Sequence, residues 1–280
     1  MRSRGRYRGA VREFRRSEIV RGGVRLSYLD NGADGPVIVA LHGLAGAGDE
    51  FIATAGAVGG PFRFVLPDLR GHGASTRAPD DVSRAAFVAD VAALVRHVSP
   101  GQPVTLVGQS MGGHTAILAA AAVPELVERL VVLEATVAGG GDPARLGNWF
   151  RSWPLPFASR SGALEFLGDS ALSRSWADHL EPAGDGGLVP PFEADVMQAI
   201  MAGVAEPQWE RWRRLAPPTT AVFAADGMFS ADEQAEFVAA RPPTRHVTLS
   251  SGSHDAHLDA TAEWAAALRA TLADHGAASL

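Results

Sequence analysis

Between the apolar run 104–107 and a helix-like segment at 114–122, the chain reads Gly108-Gln109-Ser110-Met111-Gly112. A buried strand that bends at once into a helix leaves almost no room at the corner. The residues two before and two after the serine must then be nearly without side chains, or strand and helix collide. Gly108 and Gly112 meet that demand, and Gly113 relaxes it further. Such a turn holds the serine in a strained backbone conformation and lifts its hydroxyl above the sheet. It also sets that hydroxyl at a helix N-terminus, whose dipole favours developing negative charge.

The rest of the chain supplies the sheet this corner needs. A short hairpin is expected from 18–20 and 24–29, split by Gly22-Gly23. Continuous apolar runs follow at 37–41, 64–66, 104–107, 130–133, 220–224 and 246–249. They lack polar alternation, as strands buried on both faces of a parallel sheet do. Helical patterns alternate with them. In 83–98 the residues Phe87, Val91, Leu94, Val95 and Val98 share one face, and Ser83 stands where an N-cap belongs. Segments 111–122, 231–239 and 262–272 supply further helices. This alternation predicts an α/β fold, a mostly parallel eight-stranded sheet with helices on both faces. From 138 to 217 the rhythm stops, no strand is expected, and five of the six tryptophans occur: Trp149, Trp153, Trp176, Trp209 and Trp212. The interval reads as a helical cap inserted into a core made of 17–137 and 218–280.

Bulk composition mainly excludes. With 280 residues, 46% hydrophobic, the chain can bury one large core. A net charge of -6 gives no general pull toward nucleic acid or anionic membrane, and neither is expected as a partner. There is no cysteine, so thiolate catalysis, disulfides and cysteine-based metal sites are out. No apolar run approaches the roughly 18 residues of a membrane span. Residues 1–16 carry seven arginines with no apolar segment after them, and read as a flexible basic tail rather than a signal peptide. A cytoplasmic protein is the expectation; oligomeric state is not legible.

A serine hydroxyl becomes a nucleophile only when an oriented base takes its proton. Both partners have candidates at later strand ends: Asp226 after the run 220–224, and His254 after 246–249. Strand ends on one edge of a parallel sheet converge, so residues over a hundred positions apart can meet. Two competitors stand nearby, Glu134 at the end of 130–133 and His257 three residues past His254.

In these motifs, in His42-Gly43 and in Pro67-Asp68-Leu69-Arg70-Gly71-His72-Gly73, the chain from about residue 17 to 272 resembles the cap-bearing serine hydrolases of the α/β-hydrolase superfamily. The resemblance implies Ser110 as nucleophile, His254 as base and then acid, and Asp226 as the orienting carboxylate. It implies an oxyanion hole at the backbone N–H groups of Leu44 and Met111, with Glu134 and His257 as the alternative triad members. His42 is read as a buttress of that loop, while Asp68, Arg70 and His72 are read as holding their own loop together. His114 is read as a packed residue and His179 as a surface histidine. No cofactor and no metal site is expected. The expected activity is hydrolysis of a carboxylic ester or lactone of a small hydrophobic substrate through an acyl-enzyme, with some cap aromatics facing the pocket. The alternatives are a C–C bond hydrolase or cofactor-free perhydrolase with the same triad, or a ligand-binding or non-hydrolytic biosynthetic protein on the same fold.

Overall fold

The computed structural model describes residues 13–184 and 186–273. Its strands are β1 (Arg15–Arg21), β2 (Val24–Asp30), β3 (Val37–Leu41), β4 (Arg63–Pro67), β5 (Val104–Gln109), β6 (Val127–Leu133), β7 (Glu181–Pro182), β8 (Leu188–Val189), β9 (Thr219–Phe223) and β10 (Thr244–Thr248). Its helices are α1 (Ile52–Val58), α2 (Arg84–Val98), α3 (Met111–Ala122), α4 (Pro143–Arg151), α5 (Arg160–Leu167), α6 (Ala171–Asp178), α7 (Ala194–Val204), α8 (Trp209–Arg213), α9 (Ala231–Ala239), α10 (Ala256–Asp259) and α11 (Thr261–Ala273).

Eight strands form one sheet in the order β1-β2-β4-β3-β5-β6-β9-β10. Only β2 runs against its neighbours; the remaining pairings are parallel. The central strands alternate between two cores. Ile38 and Ala40 pack with Phe51, Ala55, Trp264 and Leu268 of α1, α11 and the turn before α1. Val39 and Leu41 face the other way, toward Phe87 and Val91 of α2 and Ala116 and Ile117 of α3. α3 is buried nearly all round, and its sequence accordingly shows no polar face. Ser83 caps α2 as expected, its hydroxyl accepting from the Ala86 N–H at 3.2 Å.

Register decides where the chemistry can occur. Leu41 lies opposite Gly108, Gln109 opposite Leu133, and Leu133 opposite Val222. The residues that follow, His42, Ser110, Glu134 and the segment after β9, therefore emerge along one sheet edge.

Two expectations are adjusted. β1 begins at Arg15, inside the segment read as a flexible tail, and Arg16 meets the Asp68 carboxylate at 2.6 Å. Residues 1–12 lie outside the described residues. The interval 138–217 carries α4 to α8 but also the short antiparallel pair β7–β8, whose two-residue strands are too brief to leave a period in the sequence. Its aromatics pack mainly on one another: Trp149, Phe150, Trp153, Trp176 and Phe192 form a chain of ring contacts with centroids 4.9–6.1 Å apart. Among the described residues, no helix is long and apolar enough to cross a membrane.

Candidate active site

β5 ends, the chain bends, and α3 starts within one residue. Ser110 sits at that bend with φ 51° and ψ −121°, a left-handed conformation that non-glycine residues avoid. The close approach explains the glycines. A Cβ on Gly108 would run into the Gly112 carbonyl, and one on Gly112 into the Leu41 carbonyl. The Ser110 N–H donates to the Leu133 carbonyl at 3.0 Å, which fixes the bend to β6.

Ser110 Oγ lies 2.8 Å from His254 Nε2, and His254 Nδ1 lies 3.2 Å from Glu134 Oε2. With Glu134 ionised, Nδ1 carries the proton and donates to the carboxylate. Nε2 then accepts from the serine hydroxyl. The Gln109 amide holds the histidine loop from below, donating to the His254 carbonyl at 2.9 Å.

The carboxylate at this position corrects the expectation for Asp226. Asp226 is exposed, and its main chain is drawn into a short bridge with Ser253, its N–H donating to the Gly252 carbonyl at 3.0 Å. Its backbone thus serves the loop while its side chain faces solvent. Glu134 is fully buried instead. It leaves β6 at φ 48°, and its Oε1 accepts from the Ala224 N–H at 2.8 Å, its Oε2 from the Met228 N–H at 2.9 Å. The loop after β9 thus wraps the carboxylate rather than supplying one. Gly227 permits this, because a Cβ there would strike Glu134 Oε1.

His257 does not meet the serine. It is buried, stacked on Phe51 at 5.0 Å, with Nε2 3.5 Å from Glu50 Oε2. Burial raises the Glu50 carboxyl, but its contacts with His257, His42 and the Ser175 hydroxyl outweigh this and hold it below the usual carboxylate range. This cluster and the contact of His179 Nε2 with Asp49 Oδ1 at 2.7 Å had no sequence signal, since neither spacing nor period links those positions. His179 was read as a surface residue; it joins the end of α6 to the turn before α1 instead.

The Met111 N–H opens α3, where no earlier turn offers it a carbonyl, and Leu44 follows Gly43 at the end of β3. His42 supports that loop: Nδ1 donates to the Gly43 carbonyl at 2.7 Å, and Nε2 accepts from the Leu69 N–H at 2.9 Å. Burial pushes its pKa down, consistent with a neutral ring. Asp68 binds the N–H groups of Gly48 and Ala74, and Arg70 grips Asp90 with two nitrogens at 2.6 and 2.7 Å.

A cavity of about 280 Å³ opens over Ser110, walled by Ala135, Met201, Val204, Met228 and Phe229 among others. No tryptophan or phenylalanine of the cap lines it, so the expectation that some cap aromatics face the pocket is not met in this cavity. Among the described residues, no group of three or more histidines and carboxylates is arranged to hold a metal ion.

Over 126 residues the chain is 42% identical to the sn-1-specific diacylglycerol lipase ABHD11 of Mus musculus, a match covering 44% of this chain and 40% of that one. Over 115 residues it is 30% identical to the 2-(acetamidomethylene)succinate hydrolase of Mesorhizobium japonicum, covering 41% of each chain. The chain thus spans about two-fifths of the length of these curated relatives. The solved structure of an E-2-(acetamidomethylene)succinate hydrolase superposes with a TM-score of 0.84 at 21% identity, over 93% of this chain and 99% of that one. The sequence pattern of the alpha/beta hydrolase fold matches residues 36–261, well over half of the chain, and the protein belongs to that family.

Proposed function

We propose that the protein is a serine hydrolase that cleaves a carboxylic ester or lactone of a small substrate through an acyl-enzyme. The observation that carries this reading is the run of contacts from Ser110 Oγ to His254 Nε2 at 2.8 Å, and from His254 Nδ1 to Glu134 Oε2 at 3.2 Å. Ser110 attacks the carbonyl carbon while His254 takes its proton. His254 then gives that proton to the departing alcohol oxygen. Water, deprotonated by the same imidazole, releases the acid. Glu134 holds the imidazole in the tautomer this requires and stabilises the imidazolium without taking the proton itself.

The N–H groups of Met111 and Leu44 receive the oxyanion in this scheme. One such donor contributes roughly 3–4 kcal/mol to transition-state stabilisation. The cavity volume favours a small acyl group over a long chain. The names of the relatives support hydrolysis of an acyl bond and leave the substrate open.

A fluorophosphonate probe followed by intact mass tests the nucleophile. One adduct is expected on the wild-type protein and none on Ser110→Ala. Labelling that survives Ser110→Ala would sink the reading. Short 4-nitrophenyl esters should turn over faster than long ones.

A further inference from the structure

The loop that carries His254 comes from far across the sheet. β10 stands three places from β5 in the strand order, about 14 Å away at the usual strand spacing. Register alone therefore does not bring an imidazole from the end of β10 to a serine at the end of β5. The loop after β3, which carries the Leu44 N–H, approaches from the other side, because β3 flanks β5 away from β10. One side chain touches both loops. It belongs to Gln109, the last residue of β5, which is 1% exposed.

A buried primary amide has two N–H donors and one carbonyl acceptor to place. Gln109 Nε2 donates to the His254 carbonyl at 2.9 Å and reaches Asp255 Oδ1 at 3.4 Å. The first of these contacts is on the main chain of the base itself. The other end of the amide lies against Gly43, where a Cβ would collide with Gln109 Oε1. The next nearest atoms to such a Cβ, Gln109 Cδ at 3.4 Å and Ser110 Cβ at 3.6 Å, are at ordinary contact distance. Residue 43 has no positive φ to favour glycine, so it is the Gln109 amide that fills the space of a side chain there. An unattached glutamine would swing aside at little cost. This one is held by the His254 carbonyl, so it cannot leave Gly43 without drawing on the loop of the base.

We propose that Gln109 is a positioning residue for the hydrolytic reaction. Its amide is a spacer that sets the Leu44 N–H and the His254 imidazole at fixed places on either side of Ser110. This deepens the serine-hydrolase reading and rests on it. Gln109 does not line the cavity, and it takes no proton. It acts through the His254 main chain and the close approach of Gly43, and it is joined to the nucleophile by one peptide bond. The reaction needs hydroxyl, base and oxyanion donors in place at once, and a misplacement of about 1 Å costs on the order of 10²-fold in rate.

The test is a double-mutant cycle on kcat for 4-nitrophenyl acetate. Gln109→Ala and Gly43→Ala should each lower kcat by about 10-fold to 10²-fold, with KM within about threefold of wild type. Gly43→Ala in the Gln109→Ala background should cost nothing further, because the methyl group then enters space the amide has left. Gln109→Met keeps the volume without the donor; it should lose kcat as Gln109→Ala does, and it serves if the smaller residue does not fold. Full kcat in Gly43→Ala or Gln109→Met overturns the proposal. Losses that multiply in the double variant also overturn it, since Gly43 would then act on the Leu44 N–H directly. A glutamine that only holds the fold would lower Tm and leave the kcat of folded protein unchanged, which is a third overturning result. Wild-type protein with neither turnover nor a fluorophosphonate adduct sinks the hydrolase reading and this proposal with it. Wild-type turnover that the variants keep sinks the role of Gln109 alone.

Discussion

Two glutamate–histidine pairs lie close together in this protein. Glu134 meets His254 at 3.2 Å and Glu50 meets His257 at 3.5 Å, and the two imidazoles are three residues apart in the chain. Their surroundings set them apart. The His254 side chain is about a quarter exposed, and its second nitrogen faces Ser110. The His257 side chain is 1% exposed, lies flat on Phe51, and belongs to a carboxylate whose other oxygen accepts from Ser175 of α6. The same two functional groups thus serve a proposed proton relay at the open sheet edge and a tether between core and α6 in the interior. What differs is access and the third partner, not the pair itself.

The largest expected effect breaks the first pair. His254→Ala should lower kcat on a short ester by about 10⁶-fold and Glu134→Ala by about 10⁴-fold. His257→Ala and Asp226→Ala should stay within a few-fold of wild type. Equal losses for Asp226→Ala and Glu134→Ala would return the orienting role to Asp226.

A smaller effect should follow from crowding the Glu134 carboxylate without removing it. Gly227→Ala places a methyl group against Oε1, the oxygen that accepts from Ala224. The carboxylate must shift relative to His254, and misplacement on this scale costs on the order of 10²-fold in rate. Full activity in Gly227→Ala would show that the loop yields and the carboxylate keeps its place.

Much of this was legible in the sequence for physical reasons. The corner at Ser110 can be read because packing leaves no alternative to glycine at 108 and 112. The strand ends can be read because doubly buried strands are continuous apolar runs. His254 follows from its place after the last strand. The choice between Asp226 and Glu134 could not be read. It depends on a left-handed turn at Glu134 and on which way the loop after β9 faces, and two short acidic segments after two apolar strands look alike. The contacts of Asp49, Glu50, His179 and His257 were invisible because they join segments over a hundred residues apart and follow no period. Cap tryptophans marked a packed aromatic cluster, but composition does not say which face of a cluster meets a cavity.

The second pair should be read out as stability rather than turnover. His257→Ala removes the imidazole from a buried carboxylate and should cost about 1–3 kcal/mol. For a domain of this size that is roughly 2–4 °C in Tm per kcal/mol. Thermal unfolding of His257→Ala beside His254→Ala measures the contrast: the first should lose stability, the second should lose turnover.

The smallest effect concerns the neighbouring contact, His179 with Asp49, where α6 meets the turn before α1. Burial pulls the His179 pKa down, but the hydrogen bond and charge of Asp49 outweigh it and lift it from 6.5 to about 9. The folded protein therefore holds this proton more tightly than the unfolded chain. The stabilisation is complete below pH 6.5 and is lost as pH rises through about 9. Asp49 has the opposite sign. Burial raises its pKa, His179 outweighs this, and the net shift is downward from 3.8, so its contribution is present above that value and lost on acidification. Both side chains are partly open to water, at 23% and 35%, so screening leaves only about 1 kcal/mol or less. Tm should accordingly be about 2–4 °C lower at pH 9.5 than at pH 6 through this contact. In His179→Asn that part of the slope should vanish, whereas His254→Ala should keep it, because His254 belongs to the other pair. A slope unchanged in His179→Asn would place the pH dependence elsewhere than this contact between core and α6.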